Sequence, residues 1–222
     1  MHFILVHGIC HGGWCWEETR KGLEYLGHTV STPNLPLTSL IDDAKYVQAL
    51  LDDIDGPSIL VGHSYGGMVI SVAAHTRTDV SHLVYAAAFL IDDNEDFLEL
   101  ASSYPNYLRD YMVPVDDTSF TISDEGAYAC FYNSCHPEVA ARAVSKLRPT
   151  ANACLAPYRI DTPWKTVNST YILCNKDKAI VPELQQFMSQ KAEQTYTLDA
   201  DHSPFYSSQN ELLEILSGVI DN

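Results

Sequence analysis

Six short runs along the chain have the length and residue types of strands, at 3–6, 28–32, 58–62, 81–88, 169–174 and 194–198. The most apolar are Phe3-Ile4-Leu5-Val6 and Ile59-Leu60-Val61, continuous enough to be buried on both faces. Between the runs, apolar positions fall at helical spacing over 16–26, 42–54, 65–76, 182–192 and 208–220. Alternating strands and helices predict a parallel sheet covered on both faces, an α/β fold with six strands. The alternation breaks between residues 92 and 164. That stretch opens on an acidic cluster (Asp92, Asp93, Glu95, Asp96, Glu99) and has helical patterns near 94–104 and 137–147, with a β-like piece at 119–122 between them. The pattern predicts a core of residues 1–91 and 165–222 and an insertion of residues 92–164. The acidic cluster reads as a solvated helix face with negative charge biased to the helix N-terminus.

The junction of the third run with the helix after it carries the clearest chemistry. Gly62-His63-Ser64-Tyr65-Gly66 is G-x-S-x-G between an apolar strand and a helical run, the context of a nucleophile elbow. Small residues at 62 and 66 let the backbone turn sharply, and the turn lifts Ser64 beside the N–H groups at the start of a helix. A serine hydroxyl is a weak nucleophile, so it needs a base, and the base needs an acid to orient it. On scaffolds with this elbow the chain order is serine, acid, histidine. Asp177 follows the fifth strand run and His202 follows the sixth. Both would therefore stand at the same sheet edge as Ser64. Asp92 and Asp93, after the fourth run, are the reserve acids, and Asp201 reads as a loop residue. The second oxyanion donor in such sites comes from the loop after the first strand, which makes the N–H groups of Ile9 and Tyr65 the expected pair. His7, Cys10, His11 and Cys15 match no usual zinc spacing, so no metal or other cofactor is expected.

Several segments together resemble a known family. They are His7-Gly8-Ile9-Cys10-His11-Gly12-Gly13-Trp14-Cys15-Trp16, Leu26-Gly27-His28-Thr29-Val30, Gly62 to Met68, and Asp201-His202-Ser203. They are similar to the α/β-hydrolase branch that holds plant methyl esterases, hydroxynitrile lyases and small bacterial esterases. The resemblance covers nearly the whole chain and is weakest over about residues 92 to 160. It implies an abbreviated α/β-hydrolase core with its six strands in the order 2-1-3-4-5-6, and the insertion as a lid over the nucleophile. It also implies the triad Ser64, Asp177 and His202, with oxyanion donors at Ile9 and Tyr65. Lid aromatics become candidate substrate contacts, and Phe97, Tyr128 and Phe131 are the ones expected to line the pocket. Against the lyase pattern, Gly8 stands where the lyases have threonine. Ser203 stands where they have the lysine held to stabilise departing cyanide, and without a cation there cyanide release loses electrostatic support. The plant esterases usually have leucine at the position of Tyr65, so the acyl pocket is expected to be narrower or more polar here.

Composition narrows the partners. The chain has 222 residues, enough for one α/β domain burying roughly 70% of its unfolded surface. Its 29 acidic against 13 basic residues give a net charge of −16, which repels nucleic acid and anionic lipid surfaces. The same field disfavours polyanionic substrates such as coenzyme A thioesters and suits a neutral ester. The N-terminus shows no basic segment followed by a long apolar one, so no signal peptide or membrane span is expected and the cytoplasm is the expected compartment. The six cysteines lack C-x-x-C spacing and are expected to be reduced. The sequence-level reading is thus a serine carboxylesterase acting on small neutral or aromatic esters, with a homodimer left open. Lyase, thioesterase or lactonase chemistry, or a ligand receptor on the same scaffold, are the alternatives.

Overall fold

The computed structural model describes residues 1–158 and 162–221. Its first apolar run forms β1 (His2–Val6), and the chain then passes through α1 (Glu17–Tyr25), β2 (Thr29–Ser31), α2 (Leu40–Asp52), β3 (Ser58–His63), α3 (Gly66–Ala74) and β4 (Val80–Ala86). The insertion follows, with α4 (Phe97–Ser102), β5 (Met112–Pro114), β6 (Ser119–Ile122), α5 (Asp124–Gly126), α6 (Pro137–Val144) and β7 (Thr150–Ala151). The chain returns to the core as β8 (Asn168–Cys174), α7 (Pro182–Ser189), β9 (Gln194–Leu198), α8 (Pro204–Ser207) and α9 (Gln209–Gly218). Residues 159–161 of the expected insertion lie outside the described residues.

The main sheet has the order β2-β1-β3-β4-β8-β9, and every pair in it is parallel. Counting core strands alone, this is the expected 2-1-3-4-5-6. Side chains alternate between two faces. Phe3, Leu5, Ile59, Val61 and Val84 pack with Leu23 of α1 and Leu212 and Leu216 of α9. Ile4, Val6 and Leu60 pack with Val47 and Leu51 of α2 and Val69 and Ala73 of α3. Burial on both faces explains why these strands read as unbroken apolar runs rather than alternating ones. Two helix starts follow sequence signals: Ser39 caps α2 by accepting from the Asp42 N–H, and Pro182 opens α7. No helix among the described residues is long and apolar enough to cross a membrane.

The insertion is less regular than its sequence suggests. Besides helices it contains a three-stranded antiparallel sheet, β5-β6-β7, and a π-helical turn at Ala127–Phe131 closed by Tyr132 N–H donating to the Ala127 carbonyl. Phe120, Ile122, Phe131, Tyr132 and Cys154 share one apolar cluster with Ile9, Cys10, Leu35 and Leu37 of the core. The acidic cluster is not simply solvated. Asp92 and Asp93 pair with Lys165 at 2.6 and 3.1 Å, Glu95 pairs with Lys191, and Asp96 caps α4. Pairs this close to solvent stabilise by about 0–1 kcal/mol each, so they orient the start of the insertion more than they hold it down.

Candidate active site

The parallel register brings the C-terminal ends of the central strands level. Val6 stands opposite Gly62, His63 opposite Ala86, and Cys174 opposite Leu198. Every loop that carries predicted chemistry therefore leaves the sheet at one edge.

Ser64 follows β3 directly, with φ at 56°, a left-handed conformation that costs a non-glycine residue roughly 1 kcal/mol. The elbow holds it there: the Ser64 carbonyl accepts from the N–H groups of Gly67 and Phe89, both at 3.1 Å. The glycines answer to close approach. A Cβ on Gly62 would come 2.5 Å from the Gly66 carbonyl oxygen, and one on Gly66 would come 2.7 Å from that of Val6. Gly8 abuts Ser64 itself, since a Cβ there would lie 2.8 Å from Ser64 Cβ.

Asp177 and His202 meet in the interior. His202 Nδ1–H donates to Asp177 Oδ2 at 2.7 Å, and the two residues are 1% and 2% exposed. The same Oδ2 accepts from Gln185 Nε2 at 2.8 Å, while Oδ1 accepts the N–H groups of Ala179 and Ile180 at 2.7 and 2.9 Å. Burial pushes the Asp177 carboxyl above its ordinary value, and His202 and these donors work against that push. His202 is held from its backbone as well. His63 Nε2–H donates to the His202 carbonyl at 2.6 Å. Phe131 lies over the imidazole with ring centroids 5.4 Å apart and planes 23° from parallel. Among the described residues no hydrogen bond joins Ser64 to His202; the two sit on adjoining loops, Ser64 next to the histidine that grips the His202 backbone. Such contacts are often long before substrate binds.

The loop after β1 is fixed by its histidines. Leu35 N–H donates to His7 Nε2 at 3.0 Å, so His7 carries its proton on Nδ1 and donates to the Gly8 carbonyl at 2.8 Å. A trans peptide points its N–H opposite its carbonyl, so holding Gly8 O sets the direction of the Ile9 N–H. His11 does the same one peptide later: Tyr132 O–H donates to its Nε2 at 2.9 Å, and its Nδ1–H donates to the Ile9 carbonyl at 2.8 Å. Neither Ile9 N–H nor Tyr65 N–H is hydrogen-bonded among the described residues. His7, Cys10, His11 and Cys15 are thus committed to loop geometry and packing. All six cysteines are free.

Of the expected pocket aromatics, Phe131 stands over His202, whereas Phe97 stacks edge-on against Phe89 at 4.8 Å and Tyr128 is 43% exposed. The Tyr65 side chain is buried and donates to Asp43 Oδ2 at 2.7 Å, so its hydroxyl is spent on the α2 entrance. Asp201 is more than a loop residue. Fully buried, it accepts from Ser134 N–H (2.7 Å) and the Cys135 thiol (3.4 Å) in the insertion, and from Ser203 N–H (3.0 Å) and Ser207 O–H (2.7 Å). It ties the insertion to the His202 loop. Sequence inspection also missed Gln185, whose Oε1 accepts from Cys174 N–H while its amide braces Asp177.

The buried histidines have a consequence for stability. Burial pushes His7 down to about 3, His11 to about 4, and His63 well below 6.5. They stay neutral when folded, while the unfolded chain binds their protons near pH 6.5. Stability is then lost as pH falls below about 6.5, by about 1.4 kcal/mol per pH unit for each histidine, until its folded value is reached. Asp43 and Asp177, raised by burial, act with the opposite sign, but His2, His28 and His82 are lowered too, so the histidines outnumber them. The urea midpoint is expected to drop clearly between pH 7 and pH 5; an equal or higher midpoint at pH 5 would rule out this account.

Residues 3–215 match the model of the alpha/beta hydrolase family. The chain is 31% identical to methylesterase 7 of Arabidopsis thaliana, across 99% of this chain and 96% of that one. It is 30% identical to salicylic acid-binding protein 2 of Nicotiana tabacum, across 90% of each. Among solved structures, polyneuridine aldehyde esterase superposes with a TM-score of 0.88 at 24% identity, over 98% of both chains.

Proposed function

Because this chain belongs to the alpha/beta hydrolase family, we propose that it is a serine carboxylesterase whose triad is Ser64, His202 and Asp177. The observation that carries the reading is the buried His202–Asp177 hydrogen bond at 2.7 Å, beside a serine held at positive φ. Relatives named as methylesterases support an ester carbonyl as the electrophile. His202 Nε2 takes the Ser64 proton as Oγ attacks that carbonyl, and Asp177 stabilises the imidazolium. The Ile9 and Tyr65 N–H groups bind the oxyanion. His202 then protonates the departing alcohol, and the acyl-enzyme is hydrolysed by a water that His202 activates.

Small neutral or aromatic esters are the proposed substrates. Ser64 is only 7% exposed, and Phe131 lies over the His202 ring, which favours small esters over bulky ones. The excess of acidic groups disfavours anionic substrates. Cyanohydrin cleavage gains no support at position 203, where Ser203 is fully buried and brings no cation. The test compares p-nitrophenyl acetate, butyrate and decanoate with a cyanohydrin. Multiple turnovers on the short esters, falling with chain length, are expected. Cyanide release without ester hydrolysis would refute the reading, and so would one slow turnover with product retained.

A further inference from the structure

The insertion reaches under the active site at a point no catalytic step has used. Cys10 follows the proposed oxyanion donor Ile9 and sits at φ 60°, a left-handed conformation in a residue with a side chain. Such a conformation persists only where its surroundings enforce it. Both backbone polar groups of Cys10 are held by the insertion. Its N–H donates to Thr150 Oγ1 at 2.9 Å, and its carbonyl accepts from the Arg148 N–H at 2.9 Å. The Arg148 guanidinium extends the grip: Nε donates to the His11 carbonyl at 2.8 Å and Nη2 to the Leu35 carbonyl at 2.6 Å. Thr150 is itself fully buried and anchored in the insertion's sheet opposite Phe120, and Ala151 N–H donates to the Leu37 carbonyl at 2.9 Å.

We propose that Thr150 and Arg148 are positioning residues for the oxyanion hole, so that the insertion sets the aim of the Ile9 donor as well as covering the site. The proposal rests on the esterase reading for its kinetic consequence, though not for its geometry. The peptide joining Ile9 and Cys10 is gripped at both ends, its carbonyl by His11 and its N–H by Thr150. With one grip lost, Cys10 can relax out of the left-handed region, and Ile9 turns with it. A donor so displaced weakens transition-state binding while leaving ground-state binding nearly unchanged.

The variant to make is Thr150→Val, which keeps size and β-branching but removes the acceptor of the Cys10 N–H. On p-nitrophenyl acetate, kcat is expected to fall roughly 10- to 100-fold, less than the loss of a whole donor, with KM within about threefold. Affinity for phenylboronic acid, which forms a tetrahedral adduct on serine, is expected to fall in parallel. Thr150→Ser, which retains the hydroxyl, is expected to restore most of both. Hydrogen exchange at residues 9–11 reads the geometry apart from catalysis. Faster exchange there in Thr150→Val, with residues 58–63 unchanged, supports the grip even if the wild type hydrolyses no ester, in which case only the esterase reading falls. Unchanged exchange, or a loss confined to KM, overturns the proposal. Should Thr150→Val fail to fold, Arg148→Lys tests the side-chain part of the grip: the backbone N–H on Cys10 stays, but one ammonium cannot span both the His11 and Leu35 carbonyls, and a lower kcat with faster exchange at residues 9–11 is again expected.

Discussion

Ser64→Ala is expected to cut turnover of p-nitrophenyl acetate by roughly 10⁴- to 10⁶-fold while leaving the circular dichroism spectrum and melting temperature nearly unchanged. The size follows from the proposed role: in that relay no acyl-enzyme forms without the hydroxyl, and only binding and the proposed oxyanion donors remain. The intact fold follows from the position. The Ser64 carbonyl, bonded to Gly67 and Phe89, holds the elbow through backbone atoms that alanine keeps. Alanine inherits the same positive φ, and the strain is carried over unchanged. Residual turnover above about one percent of wild type would show that another group attacks the ester, because a relay that loses its nucleophile retains far less.

The second large effect is expected at the acid. Asp177→Asn should lower kcat by about 10⁴-fold, for a reason visible in its four donors. Ala179 and Ile180 N–H point at Oδ1, and Gln185 and His202 point at Oδ2. An asparagine has one oxygen for these two pairs. The backbone N–H groups cannot turn, so the oxygen goes to them and the amide NH2 faces Gln185 and His202. Gln185 is already committed through Oε1 to Cys174 N–H. His202 is then driven to accept at Nδ1 and to carry its proton on Nε2, the nitrogen that must take the Ser64 proton. Asp92→Asn is the matched control, since Asp92 pairs with Lys165 on the surface and its loss should leave kcat within about twofold. A kcat for Asp177→Asn within tenfold of wild type would remove Asp177 from the relay.

Much of this architecture is legible in the chain. The parallel sheet and its level C-terminal edge follow from apolar runs alternating with helices, and the order of the core strands from the family resemblance. Gly62 and Gly66, on either side of Ser64, announce a turn too tight for side chains at those two positions, and the structure shows the collisions they avoid. The juxtaposition of Asp177 and His202 follows from their loops, which leave adjacent strands β8 and β9 in register.

Other features were illegible, each for a physical reason. The π-turn at Ala127–Phe131 adds a residue to the helical repeat, so no regular periodicity separates Phe131, over His202, from the exposed Tyr128. The acidic cluster looked solvated because its partners, Lys165 and Lys191, lie about 70 and 100 residues downstream on other elements. Asp201 stood next to His202 in plain view, yet nothing in its neighbourhood shows that Ser134 and Cys135 deliver donors to it.

The division between sequence and tertiary structure follows the range of the forces involved. Backbone periodicity, glycine sterics and loop position are local, and by themselves they determined the sheet, the strained serine, and which acid and which histidine share its edge. Hydrogen bonds between side chains and distant backbone are decided only when packing brings segments within about 3 Å. The tertiary structure alone therefore decided that Gln185 braces Asp177, that Asp201 binds the insertion to the His202 loop, and that Arg148 and Thr150 hold the backbone beside Ile9.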